Sequence, residues 1–216
     1  MRIMSSGRWR GRAKHAGGSE RGVVLILVMM SVTLLAVLSG ALALVALTET
    51  AVAANYRDAD EALYAADAAM EYVLQEIARV EDWTDLLATA GLSSFVDGEP
   101  SGLRDAGSEP IDLDQATVDV TAAATPPAGA VDEPSVLYAF GRFADLVPGT
   151  ATGSMTYVAV WLADRSPAPK EDATEPVTLS VAGVAFGGRG SRRAVEALVQ
   201  KTDSAAVRLL AWRELP

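Results

Sequence analysis

The sequence predicts an α+β protein in which a long amino-terminal helix, one half suited to a membrane and the other half amphipathic, packs on a small antiparallel β-sheet. Three observations carry this. Residues Val23 to Leu47 form an apolar run without one ionisable side chain, the chain from there to Gly91 contains neither Pro nor Gly, and residues 136–216 hold five apolar, β-prone runs separated by turn residues. The 216 residues leave room for about one ordinary domain and an appendage. Half of them are hydrophobic while the formal charge is −10, so the apolar residues must be concentrated in particular segments. Cys is absent and His15 is the only histidine, which excludes disulfide frameworks, thiol nucleophiles, Cys/His zinc sites and any dyad needing a second imidazole.

Residues 1–22 form a basic leader, with Arg2, Arg8, Arg10, Arg12, Lys14 and Arg21 against the single acid Glu20. The apolar run, residues 23–47, spans about 37 Å as a helix and crosses a bilayer core of about 30 Å with some tilt. Glu49, Asp58, Asp60 and Glu61 against Arg57 follow it. The excess of basic residues before the run places the amino terminus in the cytoplasm and everything after Leu47 across the membrane. Residues 23–216 carry 12 basic and 27 acidic side chains, a net −15 that argues against a nucleic-acid partner. A secretory signal peptide would need an apolar stretch of only about 7 to 15 residues, although Ala51-Val52-Ala53 offers a small-x-small cleavage site. A plain single-pass anchor needs only the run and its flanking charges.

The helix is expected to continue through residues 48–90, which are rich in Ala, Glu, Leu and Met. Leu63, Ala66, Met70, Val73, Ile77 and Val80 follow one another at helical spacing and form an apolar stripe, with Asp60, Glu61, Asp67, Glu71 and Glu76 elsewhere on the circumference. Leu63, Met70, Val73 and Ile77 are the residues expected to pack on the sheet. From Val23 to about Val80 such a helix would be on the order of 85 Å long.

Residues 91–135 turn to Gly, Pro, Asp, Ser and Ala and read as an irregular loop region, interrupted by a short strand over Thr117 to Ala122. Strands are expected over Val136–Phe143, Met155–Leu162, Val177–Phe186, Arg193–Val199 and Val207–Trp212, together the antiparallel sheet of residues 136–216. Val177, Leu179 and Val181 alternate with Thr178 and Ser180, and Val195, Ala197 and Val199 with Glu196 and Leu198, so this pair presents a buried face. Gly187-Gly188-Arg189-Gly190-Ser191 joins them as a hairpin loop.

The junction Glu20-Arg21-Gly22-Val23, a basic leader ending in Gly directly before an apolar run, resembles the class III leader of type IV prepilins, which a membrane-embedded aspartyl peptidase cuts after the Gly. Gly has little helix propensity, so the backbone there can be held extended in a peptidase cleft while the helix begins just beyond it. The stretch ANYRDADEALYAADAAMEYVLQEI resembles the amino-terminal region of the PilX family of minor pilins: Asn55, Arg57 and Asp58 precede an Ala-rich repeat at Ala62, Ala65, Ala66, Asp67, Ala68, Ala69 and Glu71. With the leader, this resemblance covers roughly residues 20–80. It implies a pilin-like fold, cleavage between Gly22 and Val23 with N-methylation of Val23, and a structural role in a type IV pilus, the kind of filament that serves adhesion and motility. Partners implied are other minor pilins and the major pilin, prepilin peptidase, the inner-membrane assembly platform and a large tip adhesin. The implied location is the inner membrane, with the carboxyl-terminal domain periplasmic, and after assembly a cell-surface pilus. Leu27 stands at the fifth mature position, where most pilins place a Glu. The alternatives are a GspK-like minor pseudopilin of a type II secretion system, which usually carries a larger inserted domain, and a membrane-anchored binding module that never polymerises.

No catalytic constellation emerges, and no cofactor or metal is expected. His15 sits among leader Arg and Lys. Gly187, Gly188 and Gly190 fall short of G-x-G-x-x-G and suit a hairpin. Asp112, Asp114 and Asp119 could line a Ca²⁺ loop, but the EF-hand pattern is absent and an acidic surface loop is the commoner origin of such residues. Met29 and Met30 suit lipid or helix packing.

Overall fold

A computed structural model describes residues 20–88, 92–105, 109–124, 126–130, 132–146, 155–167, 176–202 and 206–215; most of the leader lies outside them. The chain divides into two compact units, 1–51 and 52–216, and one helix, α1 (Glu20–Ile77), contributes to both.

In the first unit every described residue from Gly22 to Ala51 is exposed, including the large apolar side chains. The few hydroxyls in and just beyond the apolar run donate back to the helix's own carbonyls: Ser31 to Leu27 at 2.8 Å, Thr33 to Met30 at 2.9 Å, Thr48 to Leu44 at 2.9 Å and Thr50 to Ala46 at 2.8 Å. No hydroxyl among these needs water, as a lipid environment requires. By length and composition this helix can cross a membrane.

The second unit is built on a five-stranded antiparallel meander, β3 (Val136–Arg142), β4 (Tyr157–Asp164), β5 (Thr178–Phe186), β6 (Arg192–Lys201) and β7 (Val207–Leu215), paired in chain order. All five expected strands form, within two or three residues of their expected ends. The 52–77 stretch of α1 covers one face, where Ala62, Ala65, Ala66, Ala69, Met70, Val73 and Ile77 are buried with Val158, Val160, Leu179, Val181, Val195 and Ala197.

The opposite face is also covered, which corrects the reading of residues 91–135 as irregular. This region holds a small hairpin, β1 (Leu103–Asp105) with β2 (Pro110–Asp112), and a helix, α3 (Leu113–Ala123). The strand expected over Thr117 to Ala122 is therefore helical. Asp112 caps α3 by accepting the N–H groups of Asp114 and Gln115, and Leu113, Ala116 and Val120 pack with Tyr157, Ala159, Trp161 and Val184. Trp161 Nε1 donates to Thr117 Oγ1 at 2.8 Å. A cap and a buried 3–4 spacing outweigh the modest strand preference of Thr and Val.

A second correction concerns the far end of α1, expected to run to residue 90. It stops at Ile77, and a separate short helix α2 (Trp83–Ala88) follows. The turn beyond it is held by local and tertiary partners: Ile77 O accepts the Val80 N–H at 3.1 Å and Trp83 Nε1 at 2.9 Å, and Lys201 Nζ, from the end of β6, donates to Val80 O at 2.6 Å and to Glu81 O.

Candidate functional site

Two segments of α1 carry the functional expectations, one in each unit. At the first, Gly22 lies within the opening turn of α1, which begins at Glu20, so the helix does not start beyond the glycine as expected. A single Gly costs a helix about 1 kcal/mol relative to Ala, too little to stop propagation backward from a long apolar helix. Gly22 weakens the turn it sits in, because Gly is the poorest helix former apart from Pro. A β-carbon at Gly22 would meet nothing within 4 Å, so a substitution there perturbs no packing. Val23 and Leu27 are exposed, and no acid occupies the position of Leu27.

The second segment is the seam between the Ala-rich repeat and the sheet. Met70, Val73 and Ile77 are buried on the sheet, and Leu63 sits at the margin, only partly buried. The centre of the contact is made by alanines instead, because the helix backbone comes very close to β5. A β-carbon added to Gly183 would lie 3.0 Å from the Ala66 carbonyl oxygen and 3.4 Å from Met70 Cβ. Just past the end of β5, a β-carbon on Gly187 would meet Ser191 Oγ at 2.4 Å and Ala62 Cβ at 3.4 Å. Small residues on both surfaces permit this approach. An isolated Gly inside the apolar run of β5 was the available sequence signal for it.

Asp58 closes one end of the seam. Its carboxylate takes Arg189 Nε at 2.8 Å on one oxygen and Nη2 at 3.4 Å on the other, and its backbone carbonyl accepts Ser191 Oγ at 3.4 Å. Arg189 sits in the β5–β6 turn with φ 54°, a left-handed conformation that costs an L-residue roughly 1–2 kcal/mol and directs its side chain to this partner. This ion pair joins residues 131 apart in sequence, and sequence reasoning did not find it. Asn55, Arg57 and Glu71 are exposed, and Ala68 is half-buried beside the packed face. Asp67, also half-buried, has its carboxyl pushed above the usual range, first by burial and then by the neighbouring charges of Glu214 and Glu71. Glu76 accepts from Ser93 and Ser94, tying the segment after α2 to the other flank of α1.

The acids considered for calcium are otherwise engaged. Asp112 caps α3, Asp114 accepts the Gly102 N–H at 3.1 Å, and Asp119 accepts from Gln115 and pairs with Arg192 at 3.4 Å. Among the described residues no group of three or more His, Cys, Asp or Glu is placed to hold a metal. Tyr157 is pushed up to about 12, by burial and then by Asp97, and Tyr138 is raised by burial and Glu76, so both phenols stay protonated.

An apolar helix that continues as an alanine-faced helix on an antiparallel meander defines a pilin-type α+β protein. Residues 21–71 match the family model described as PilX N-terminal, and that segment of the chain is similar to type IV pilins of this family. No curated protein and no solved structure matches the chain significantly. The match ends within the seam, so the membrane-length run and the Ala-rich part of the seam fall inside it, while Val73 and Ile77 lie beyond it.

Proposed function

We propose that the chain is a minor pilin of a type IV pilus. It is made as an inner-membrane precursor with the leader cytoplasmic and the head periplasmic, cut between Gly22 and Val23 by prepilin peptidase and N-methylated at Val23. With other minor pilins it then passes through the inner-membrane assembly platform, primes the filament and remains near its tip at low copy. The role is structural and not enzymatic. The observation that carries this reading is that the family match over residues 21–71 spans the candidate cleavage junction, the membrane-length run and the Ala-rich part of the seam, all on one helix. Leu27 supports the tip. In most pilins a Glu carboxylate at this place is thought to neutralise a neighbour's amino terminus in the apolar core, and a subunit without it leaves that ammonium unpaired in the middle of a filament.

Amino-terminal mass spectrometry of the protein from its own membranes tests the processing. Methylated Val23 is expected, and Gly22→Val should leave the precursor uncut, because a β-branched residue stiffens the backbone the peptidase must extend. A native amino terminus at Met1 or Ala54 defeats the reading. Immunogold labelling of sheared pili tests position: label at filament ends is expected, with fewer pili rather than shorter ones when the protein is removed, and even labelling along the shafts defeats the tip assignment.

A further inference from the structure

The two edges of the five-stranded sheet differ. Along β3 the outer edge is covered by residues 93–96: Ser93 N–H donates to Tyr138 O at 2.9 Å, Phe140 N–H donates to Phe95 O at 3.0 Å, and Val96 bridges Phe140 in parallel. Along β7 no strand among the described residues pairs with the outer edge, and every residue from Arg208 to Glu214 is exposed. Such an edge is a row of backbone donors and acceptors ready to pair with another chain.

Its side chains sort by face. Leu209 and Trp212 pair with Val199 and Ala197 on the α1 face, and both are about half exposed. Arg213 pairs with Glu196 and Arg208 with Gln200 on the α3 face. Arg213 is held in place, because its guanidinium bonds the buried Glu196 carboxylate, whose other oxygen accepts Ser180 Oγ at 2.6 Å. Charge separates in the same direction. Residues 186–216 carry 6 basic and 3 acidic side chains, a net +3, whereas residues 48–185 carry 6 and 24, a net −18; Arg189, Arg192, Arg193 and Arg213 pair with Asp58, Asp119, Glu214 and Glu196, and Arg208 of β7 has no ion pair among the described residues.

We propose that β7 is an acceptor edge for an extended acidic segment of another protein, which adds as a sixth strand. Its apolar side chains would lie beside Leu209 and Trp212, and its alternate carboxylates beside Arg208 and Arg213. Main-chain pairing supplies attraction whatever the sequence, and the two faces supply selectivity. A second copy of β7 is a poor occupant, because it brings the same arginines and repeats the bulge that interrupts the ladder between Leu209 and Ala211. The edge lies outside the segment matched to the pilin family, so this proposal stands or falls separately from the one above.

The test uses the full chain in lipid nanodiscs and a dye-labelled peptide alternating valine and aspartate. Binding read by fluorescence anisotropy is expected to weaken with salt, to fall about tenfold when lysine replaces aspartate, and to vanish when a central valine becomes proline. Arg208→Glu should reverse the preference toward the lysine peptide, a gain that a misfolded variant cannot show. Hydrogen exchange should slow within residues 207–215 on binding. Equal binding of both peptides, no binding, or protection confined to other segments overturns the proposal. Protection of 207–215 that rises with protein concentration before any peptide is added would assign the edge to a second copy and overturn it too.

Discussion

The stretches of α1 before Leu47 and after Val52 have the same backbone and opposite requirements. In the first, large apolar side chains point outward all round and the hydroxyls fold back onto the helix. In the second, one face is narrowed to alanine so that the backbone can lie against Gly183, and an ion pair at Asp58 holds the end. A helix in lipid asks for residues of a kind, while a helix on a sheet asks for particular residues in particular places. The two stretches should therefore respond differently to the same substitution.

The largest contrast is a buried charge. Val73 is fully buried in the core between α1 and the sheet, so Val73→Asp should cost several kcal/mol and remove the cooperative thermal melt of the head, followed by circular dichroism in detergent. Leu35→Asp, in the apolar run, should leave that melt in place and instead reduce membrane insertion, at about 2.5 to 3.5 kcal/mol for a charge at the helix centre. An unchanged melt in Val73→Asp would mean that this face of α1 does not hold the head together.

Glycine gives a subtler contrast. Gly183→Ala brings a methyl 3.0 Å from a backbone oxygen that cannot swing aside, and should destabilise by about 1 to 3 kcal/mol. Gly40→Ala has open space around it and should be neutral or favour the helix by up to about 1 kcal/mol. Denaturant melts of the head, with helicity in micelles for Gly40, separate the two. Equal effects would show that the seam yields more readily than its alanines suggest.

What could be read from the sequence follows the same division. The apolar run and the stripe through Met70, Val73 and Ile77 are periodic and local, so period and composition were sufficient. Leu63 packs on the same core but is only partly buried; the centre belongs to Ala62, Ala65, Ala66 and Ala69, where the Ala-rich repeat suits a helix that packs closely through small residues. The end of α1 at Ile77 has no local Gly or Pro to mark it, and the side chains that hold the turn beyond it, Trp83 and Lys201, come from outside the helix. Helix α3 was read as a strand because Thr117, Val118, Val120 and Thr121 are β-branched, although Asp112 as a cap and the spacing of Leu113, Ala116 and Val120 were available. The Asp58–Arg189 pair joins a helix to a distant turn, and no local pattern announces such a contact.

The smallest expected effect separates the two aspartates of the seam. Asp58 has its arginine, whereas Asp67 is half-buried and faces Glu214 and Glu71, so its carboxyl holds its proton to higher pH in the folded chain than in the unfolded one. Below the unfolded value, 3.8, both states are protonated and Asp67 contributes nothing to the pH dependence. As pH rises from there through the raised folded value, the folded state binds more proton than the unfolded state. Stability falls across that window and then levels off, so the penalty is fully present at neutral pH. Solvent and salt still screen this half-buried group, so Asp67→Asn should raise the melting temperature at pH 7 by no more than about 2 °C. The gain should shrink toward nothing as the pH is lowered below 4, where the wild-type carboxyl is already neutral. A gain that persists in acid would point to the packing of the amide, and a loss at pH 7 would mean that the Asp67 carboxylate has a favourable partner that outweighs Glu214 and Glu71.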